Sequence, residues 1–279
     1  MTSLDTPPPG EPAATDPVAT APQAGRALVE RTVLDEQVAA GRQGEPLSWG
    51  VRSWLGPLIC LAALIVLSSL AAAAVPAAGT GRTVGLATLS IGLQLVLLAV
   101  LVGFGRPLAA AGGGWRNALG LDRVRRSDWL PWITGVGFAY LGRTVVAALA
   151  VVLTGGRALA EASNISGGDR SVGSIVVLVV AAVVLAPVAE ELMFRGLLLR
   201  TFMHRMRFWP AAALSTLLFA GFHVYEVDTV AGAITLAASV GMLGLVNCYL
   251  VRITGRLTPG IMVHATYNAV AVAVVLLVG

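Results

Sequence analysis

Residues 172–200 read VGSIVVLVVAAVVLAPVAEELMFRGLLLR. A helix needs about 20 mostly apolar residues to cross a bilayer, so this stretch predicts a transmembrane helix. Glu190, Glu191 and Arg195 stand in its second half. An ionisable side chain inside a membrane segment costs roughly 2.5–3.5 kcal/mol on insertion scales, which makes it a candidate for function. The stretch therefore predicts a buried polar site on a membrane-spanning helix.

The composition of the whole chain is that of a membrane protein. Hydrophobic residues make up 56% of the 279 positions, charged residues make up 12%, and the mean hydropathy is +0.80. Soluble domains carry about 25% charged residues, so a soluble fold of this size would lack the polar side chains to cover its surface. The two cysteines, Cys60 and Cys248, lie in apolar stretches, which excludes a disulfide framework and a cysteine metal cluster.

Seven apolar segments are long enough to cross a bilayer. They predict an all-α polytopic bundle of about seven transmembrane helices, with eight as the upper count. The segments are residues 55–78, 83–104, 131–154, 172–200, 210–226, 229–251 and 257–278. The fifth segment is the shortest, and it is the one expected to be tilted, re-entrant or merged with a neighbour. No internal repeat is visible, which weakens the case for an inverted-repeat transporter.

Residues 1–50 differ from the rest and predict a tail in front of a transmembrane domain at residues 51–279. Six of the 14 prolines lie in residues 1–23 without apolar periodicity, so this part is predicted to be disordered. Residues 26–42 predict at most a weakly amphipathic helix. The apolar positions of that helix are Leu28, Val29, Val33 and Val38.

The arginines predict the orientation of the helices. All 19 basic residues are arginine, and loops rich in arginine alternate with poor ones. The positive-inside rule therefore places the N-terminus in the cytoplasm. We expect an integral protein of a bacterial plasma membrane. The net charge is +4, but no basic run is long enough to bind nucleic acid. The expected partners are the lipid bilayer and a peptide or protein substrate at the membrane.

Four polar residues on three predicted helices are expected at one depth. A helix rises about 1.5 Å per residue, which places Glu190, His223, His264 and Asn268 roughly 12–22 Å from the arginine-rich ends of their helices. Glu190 points about 100° away from Glu191 around the helix, which leaves its carboxylate free. A free carboxylate, an imidazole and a His/Asn pair that converge in a water-poor cavity form a hydrolytic constellation.

Three further charged groups lie in the same segments. Glu191 and Arg195 are one turn apart and can pair, so a structural ion pair is favoured over direct chemistry. A single buried histidine is more often a hydrogen-bonded link between helices, but the matching depth of the two histidines favours function. Arg143 lies at a similar depth. It either neutralises an acidic residue or binds a substrate carboxylate, and both interpretations stay open.

Three motifs occur in order on successive apolar segments. Residues 190–195 match EExxxR, residues 219–223 match FxxxH, and residues 264–268 match HxxxN. The surrounding stretches read APVAEELMFRGLLL, LSTLLFAGFH and TGRLTPGIMVHATYN. Together they resemble the CAAX protease and bacteriocin-processing family, also called CPBP or Abi. The resemblance covers about residues 120–279, which form the motif-bearing core.

The resemblance implies an all-helical intramembrane endopeptidase. Glu190 and His223 match the family residues that activate a water molecule. His264 and Asn268 match the residues thought to hold the oxyanion, supported by the rest of the EExxxR motif. Family members are often called metalloproteases, but a metal-free glutamate mechanism is favoured. The sequence lacks HExxH, whose two histidines would bind zinc from one helix.

Zinc is the alternative cofactor, because Glu190, His223 and His264 supply the three protein ligands of a catalytic zinc site. Against zinc, a histidine bound to the metal cannot donate that nitrogen's proton to an oxyanion. Asn268, one turn beyond His264, favours the oxyanion role. Two other interpretations are a catalytically silent membrane regulator or immunity protein and a proton-coupled transporter. The complete set of motif residues counts against both.

Overall fold

The computed structural model describes residues 33–43, 114–162, 171–224 and 227–278, with further helical positions between residues 58 and 110 that include 94–99 and 101–103. Every regular element in these described parts is helical. Four of the helices are long and apolar enough to cross a membrane. The predicted all-α membrane bundle is therefore confirmed. The total helix count and the side on which the N-terminus lies stay predictions.

Eight helices are used below, numbered in chain order. They are α1 (Val33–Gln43), α2 (Trp115–Leu119), α3 (Trp129–Thr154), α4 (Arg157–Glu161), α5 (Val172–Met203), α6 (Phe208–Val224), α7 (Val230–Thr254) and α8 (Thr258–Val278). A single tighter turn, Arg126–Asp128, leads into α3.

The last five predicted segments coincide with helices to within a few residues. Helices α3, α5, α7 and α8 are the four of membrane-spanning length, and α6 is shorter, with 17 residues. The short α6 agrees with the expectation that the fifth segment differs from its neighbours. The first predicted segment, residues 55–78, lies almost entirely outside the described residues, as does the predicted disordered stretch at residues 1–23. Of the second segment, residues 83–104, the structure describes about half, and those positions are helical.

Helix α7 lies at the centre and packs against α3, α6 and α8. Glycines let α3 approach its neighbours closely, as small residues do in membrane bundles. A Cβ atom on Gly135 would lie 2.7 Å from the Val263 side chain of α8. A Cβ atom on Gly142 would lie 2.6 Å from Met242 of α7. These two close contacts fix α3 against both helices.

The outer face of α3 is apolar and exposed. Phe138, Leu141 and Val152 expose 64%, 60% and 80% of their surface, whereas Ala139 on the inner face is fully buried. A soluble helix would place the large apolar residues inside. Large residues outside and small residues inside fit a helix that faces lipid on one side and helices on the other.

Helix α1 is a short amphipathic helix that packs against α7 and α2. Leu34 and Val38 are buried, whereas Val33 is 42% exposed. The predicted apolar face was therefore correct at Val38 and wrong at Val33, because Leu34, not Val33, is the residue one turn before Val38 that faces the bundle. The Gln37 side-chain oxygen accepts a hydrogen bond of 2.8 Å from the buried Arg200. This bond joins α1 to α5.

The start of α8 is fixed by a buried ion pair. Arg256 and Asp128 are both buried, and an Arg256 Nη2 to Asp128 Oδ2 distance of 3.1 Å joins them. Two residues later, the Thr258 hydroxyl donates to the carbonyl oxygen of Asp122 at 2.7 Å. These contacts hold the first turn of α8, and through it the helix that carries two of the candidate site residues.

Candidate active site

The backbone of α5 widens twice around the two adjacent glutamates. Residues Val180–Leu185 and Leu192–Leu198 form π-helical turns, and Ala186–Glu191 between them is α-helical. Pro187 lies at the start of the α-helical part and supplies no N–H. Wide turns of this kind occur often at functional sites. Glu190 and Glu191 are both buried where the two kinds of turn meet.

Glu190 lies between two histidines from different helices. Its Oε2 atom is 3.7 Å from Nε2 of His223 on α6 and 3.6 Å from Nε2 of His264 on α8. Both distances exceed an ordinary hydrogen bond, which is about 2.7–3.2 Å for nitrogen and oxygen. The buried Oε2 atom has no hydrogen-bond partner in the described structure. Three of the four groups predicted to share one depth thus meet around a small gap.

The orientation of His223 is set by its own helix. Its Nδ1 atom lies 2.8 Å from the carbonyl oxygen of Phe219, one turn earlier. A carbonyl oxygen only accepts, so Nδ1 carries the hydrogen and Nε2 of the neutral ring carries a lone pair. The Phe219 ring packs beside the imidazole, with the centroids 4.6 Å apart. The lone pair of Nε2 therefore faces Glu190.

His264 is held by the second glutamate. Its Nδ1 atom lies 3.0 Å from Oε1 of Glu191, and a carboxylate that is paired with an arginine accepts the bond. The neutral ring therefore also turns a lone pair on Nε2 toward Glu190. Glu191 does more than pair with Arg195, because it fixes the ring and the tautomer of His264. A carboxylate that orients a histidine in this way is common around catalytic and metal-binding sites.

Glu191 is the centre of a buried polar cluster. Its Oε1 atom accepts from Arg195 at 3.1 Å, which is the predicted ion pair, and from Asn247 of α7 at 2.8 Å. The same Asn247 amide donates to the carbonyl oxygen of Gly260 at 3.2 Å. The Arg195 guanidinium lies over the Phe219 ring, 4.4 Å from its centroid. These hydrogen bonds tie three helices, α5, α7 and α8, together next to the site.

Asn247 was missed by the sequence analysis. It stands in an apolar helix, and an amide buried at membrane depth needs partners as a charge does. The signal was present, because Asn247 is a polar residue in the middle of the segment at residues 229–251. It belongs to none of the three motifs, and only the fold brings it to Glu191.

Asn268 lies one turn beyond His264 and reaches a different part of α5. Its Nδ2 atom donates to the carbonyl oxygen of Ala182 at 2.7 Å. Ala182 belongs to the first π-helical turn, eight positions before Glu190. The structure therefore gives Asn268 a backbone partner, and one of its two N–H groups is used there.

Arg143 lies on α3 beside the aromatic residues of α8. Its guanidinium is 5.4 Å from the centroid of the Tyr267 ring, and the ring of Tyr140, one turn before it, packs against the same ring at a tilt of 31°, with centroids 5.2 Å apart. No carboxylate of the described residues lies within ion-pairing distance of Arg143. Of the two interpretations left open by the sequence, neutralising an acidic residue finds no partner in that part of the chain. Arg143 neighbours His264 and Asn268 through Tyr267.

A catalytic zinc ion would need three protein ligands grouped at one place. Within the described residues, no three His, Cys, Asp or Glu side chains form a group that could hold a metal ion. Glu190, His223 and His264 are the chemically suitable donors, and their facing atoms are those given above.

The geometry has a clear chemical capacity. When both rings are neutral, two imidazole lone pairs and a carboxylate oxygen face one another, and all three are acceptors. Such a group binds a small molecule that donates hydrogens and can take a proton from it. The group lies in apolar surroundings, where electrostatic interactions are stronger than in water. Deprotonation of a bound water molecule is therefore the reaction the residues are suited to.

A family comparison agrees with the motifs. Residues 172–270 match the family model described as Type II CAAX prenyl endopeptidase Rce1-like. This segment belongs to the CAAX protease family. The match spans α5 to α8 as far as residue 270 and includes all three motifs, so the resemblance stated from the motifs is confirmed. No curated protein and no solved structure matches the chain. Family membership supports an endopeptidase in general terms.

Proposed function

We propose that this CAAX protease family member is a glutamate-dependent intramembrane endopeptidase of a bacterial plasma membrane. Its substrate is a membrane-associated protein or the C-terminal peptide of one. A single observation carries the proposal. Glu190 lies 3.7 Å and 3.6 Å from two histidine Nε2 atoms, and each ring is fixed by a hydrogen bond on its other nitrogen.

In the proposed reaction, a water molecule donates its hydrogens to Glu190 and to Nε2 of His223. As the water oxygen forms a bond to the scissile carbonyl carbon, the O–H bond breaks and the proton passes to Glu190. The carbonyl π electrons move onto oxygen, which becomes the oxyanion. When the carbon–nitrogen bond breaks, the proton passes from Glu190 to the leaving amine. General acid–base catalysis of this kind contributes about 10²–10⁴ in rate.

His264 and Asn268 stabilise the oxyanion in this proposal. His264 donates to the oxyanion from Nε2 only when both ring nitrogens carry hydrogens, and Nδ1 then still donates to the carboxylate of Glu191. Asn268 has a second N–H besides the one given to Ala182. Donors held rigidly in a dry site are worth about 2.7–4 kcal/mol each to the transition state.

Arg143 gives the site a preference for a free C-terminus. Its guanidinium stacks over Tyr267 and has no carboxylate partner among the described residues. A guanidinium binds a carboxylate through two parallel hydrogen bonds, which are among the strongest in proteins. We therefore assign Arg143 to the terminal carboxylate of the substrate.

The mechanism uses no metal ion. If zinc were bound, Glu190, His223 and His264 would hold it, and it would supply a Lewis acid that activates water. The donor role of His264 argues for the metal-free form, because Nε2 cannot bind a metal and donate to an oxyanion at once. Chelation separates the two forms, as described in the Discussion.

The proposal is tested with the full chain in lipid vesicles and membrane-tethered peptides with free C-termini, with the cleavage products identified by mass spectrometry. We expect peptide release by the native protein and none by Glu190→Gln, which keeps the shape of the side chain. Glu161→Gln is the matched control, because Glu161 is an exposed glutamate that belongs to none of the three motifs. Its side chain accepts a hydrogen bond from the Thr229 hydroxyl. Equal activity of the native and E190Q proteins would overturn the proposal.

A further inference from the structure

A missing backbone hydrogen bond lies eight residues before Glu190. In the first π-helical turn of α5, the N–H of Ala186 donates to the carbonyl oxygen of Ala181, five residues earlier. In the same register the next residue would donate to the carbonyl oxygen of Ala182. That residue is Pro187, which has no N–H. The carbonyl oxygen of Ala182 therefore receives no hydrogen bond from residue 186, whose N–H bonds to Ala181, or from residue 187, which has no N–H.

A carbonyl group without a donor is costly at membrane depth, about 1–3 kcal/mol by protein mutational data. The side chain of Asn268 provides the donor, with Nδ2 2.7 Å from the Ala182 oxygen. The bond is the only polar link in the described structure between the third motif and the wide turn before the first motif. It crosses from α8 to α5 between residues 86 positions apart in sequence.

We propose that Asn268 is a positioning residue that replaces the missing N–H of Pro187 and thereby fixes the rotation of α5 at Glu190. An i→i+5 turn holds one more residue than an α-helical turn, so the residues after it point in directions that depend on where the wide turn ends. Glu190 is only three residues beyond Pro187. Holding the Ala182 carbonyl keeps the wide turn in place and keeps the carboxylate toward the two histidines.

The second wide turn of α5 provides the contrast. The carbonyl oxygen of Phe194 also accepts a side-chain hydrogen bond, from the Ser215 hydroxyl of α6 at 2.8 Å. Phe194 keeps its backbone donor as well, because the N–H of Leu199 bonds to it in the i→i+5 register. Ser215 thus adds a second bond to a carbonyl that is already paired, whereas Asn268 supplies a bond that the backbone lacks.

The role in catalysis rests on the proposed function, since it concerns the position of Glu190, but the coupling between residues 268 and 187 does not. The test is a double-variant cycle of the full chain in detergent or lipid. It compares the native protein, Asn268→Ala, Pro187→Ala and the double variant by thermal unfolding. Alanine at position 187 restores a backbone N–H next to the unpaired carbonyl.

We expect N268A to lower Tm by about 3–8 °C in the native background and by less than half of that in the P187A background. The control is Ser215→Ala, whose Tm loss should be the same in both backgrounds. Equal losses for N268A in both backgrounds would overturn the proposal. If N268A alone gives no folded protein, P187A must restore the folded yield, and failure to restore it overturns the proposal too.

The catalytic part has a separate readout. N268A should lower kcat with little change in KM, and P187A should recover kcat of the N268A protein by at least about threefold, because Glu190 returns to the histidines. A loss of kcat that P187A does not recover would leave Asn268 without a positioning role. If the native chain cleaves no peptide, the proposed function fails, and the Tm cycle still decides whether Asn268 replaces the Pro187 N–H.

Discussion

Glu190 and Glu191 are neighbours in sequence and similarly buried, and the Oε2 atom of each lacks a hydrogen-bond partner, but their other contacts differ. The Oε1 atom of Glu191 accepts from Arg195, Asn247 and His264 at 2.8–3.1 Å. The Oε2 atom of Glu190 has two histidine nitrogens near it and no hydrogen bond to either. One carboxylate is bound by donors, and the other faces acceptors.

The difference gives the two glutamates separate roles on one helical turn: Glu191 stabilises the structure, and Glu190 takes part in the reaction. Successive residues of a helix point about 100° apart, so adjacent glutamates face different neighbours. The donors around Glu191 hold it charged and fixed, and it in turn fixes His264. The acceptors around Glu190 leave it able to take a proton. His264 lies next to both carboxylates, with Nε2 near Glu190 and Nδ1 bonded to Glu191.

The two histidines should give the largest effect on activity. His223→Ala and His264→Ala should each lower kcat by about 10²–10⁴, because each removes a group next to the reacting atoms. H264A should also lower Tm, since it leaves Glu191 with one donor fewer, whereas H223A should leave Tm nearly unchanged. Single-turnover cleavage and thermal unfolding of the same preparations measure both. An equal change of Tm in the two variants would contradict a stabilising role for His264 through its hydrogen bond to Glu191.

Asn247→Leu should act mainly on stability. Leucine has a similar volume and cannot donate, so a buried carboxylate loses a hydrogen bond worth about 1.5–3 kcal/mol. We expect Tm to fall by roughly 3–10 °C, with a smaller loss of kcat that follows the loosening of His264. The control is Thr216→Val on the facing helix, whose hydroxyl contacts Cys248 at 3.9 Å and no carboxylate. A large loss of kcat with Tm unchanged would show that Asn247 acts on catalysis and not mainly on stability.

The substrate end of the site is tested by Arg143→Ala. The variant should reduce kcat/KM for a peptide with a free C-terminus by roughly 10–100-fold, because a charge-assisted pair of hydrogen bonds is lost. The same peptide with an amidated C-terminus should be affected far less. Arg157→Ala, an exposed arginine at the start of α4, is the matched control. Equal losses for both peptides would give Arg143 a structural role only.

Removal of metal ions should have the smallest effect of all. We expect full activity after extensive dialysis against a strong chelator, and elemental analysis should find far less than one metal ion per chain. The physical reason is the donor role assigned to His264 Nε2. Loss of activity on chelation, with recovery on stoichiometric zinc, would replace the metal-free mechanism and leave the endopeptidase assignment in place.

Much of the architecture could be predicted because membrane helices obey simple rules of length and polarity. The segments at residues 172–200 and 257–278 match α5 and α8 closely, and the helical rise alone was enough to expect Glu190, His223 and His264 at one level. The pairing of Glu191 with Arg195 followed from their spacing by four residues. These properties are local, so one sequence contains them.

Contacts between distant segments could not be predicted in the same way. Asn247 meets Glu191 across 56 positions, and Asn268 meets Ala182 across 86. No spacing rule links such residues, because the contact depends on how α5 widens before Pro187 and on how close α7 lies. In α1, the structure buries Leu34 where the sequence predicted Val33, and the reason is related. A short helix with few apolar residues leaves its rotation to the surface on which it packs.

The most direct test of the difference between the two glutamates is one measurement on two matched variants, Glu190→Gln and Glu191→Gln. Cleavage per folded molecule and Tm are recorded on the same samples in lipid. We predict that E190Q loses at least about 10³ in kcat while Tm changes little. E191Q should lose about 10 °C in Tm, because Arg195 becomes a buried charge without a counterion. Equal losses of Tm in both variants, or cleavage by E190Q at the native rate, would contradict the account.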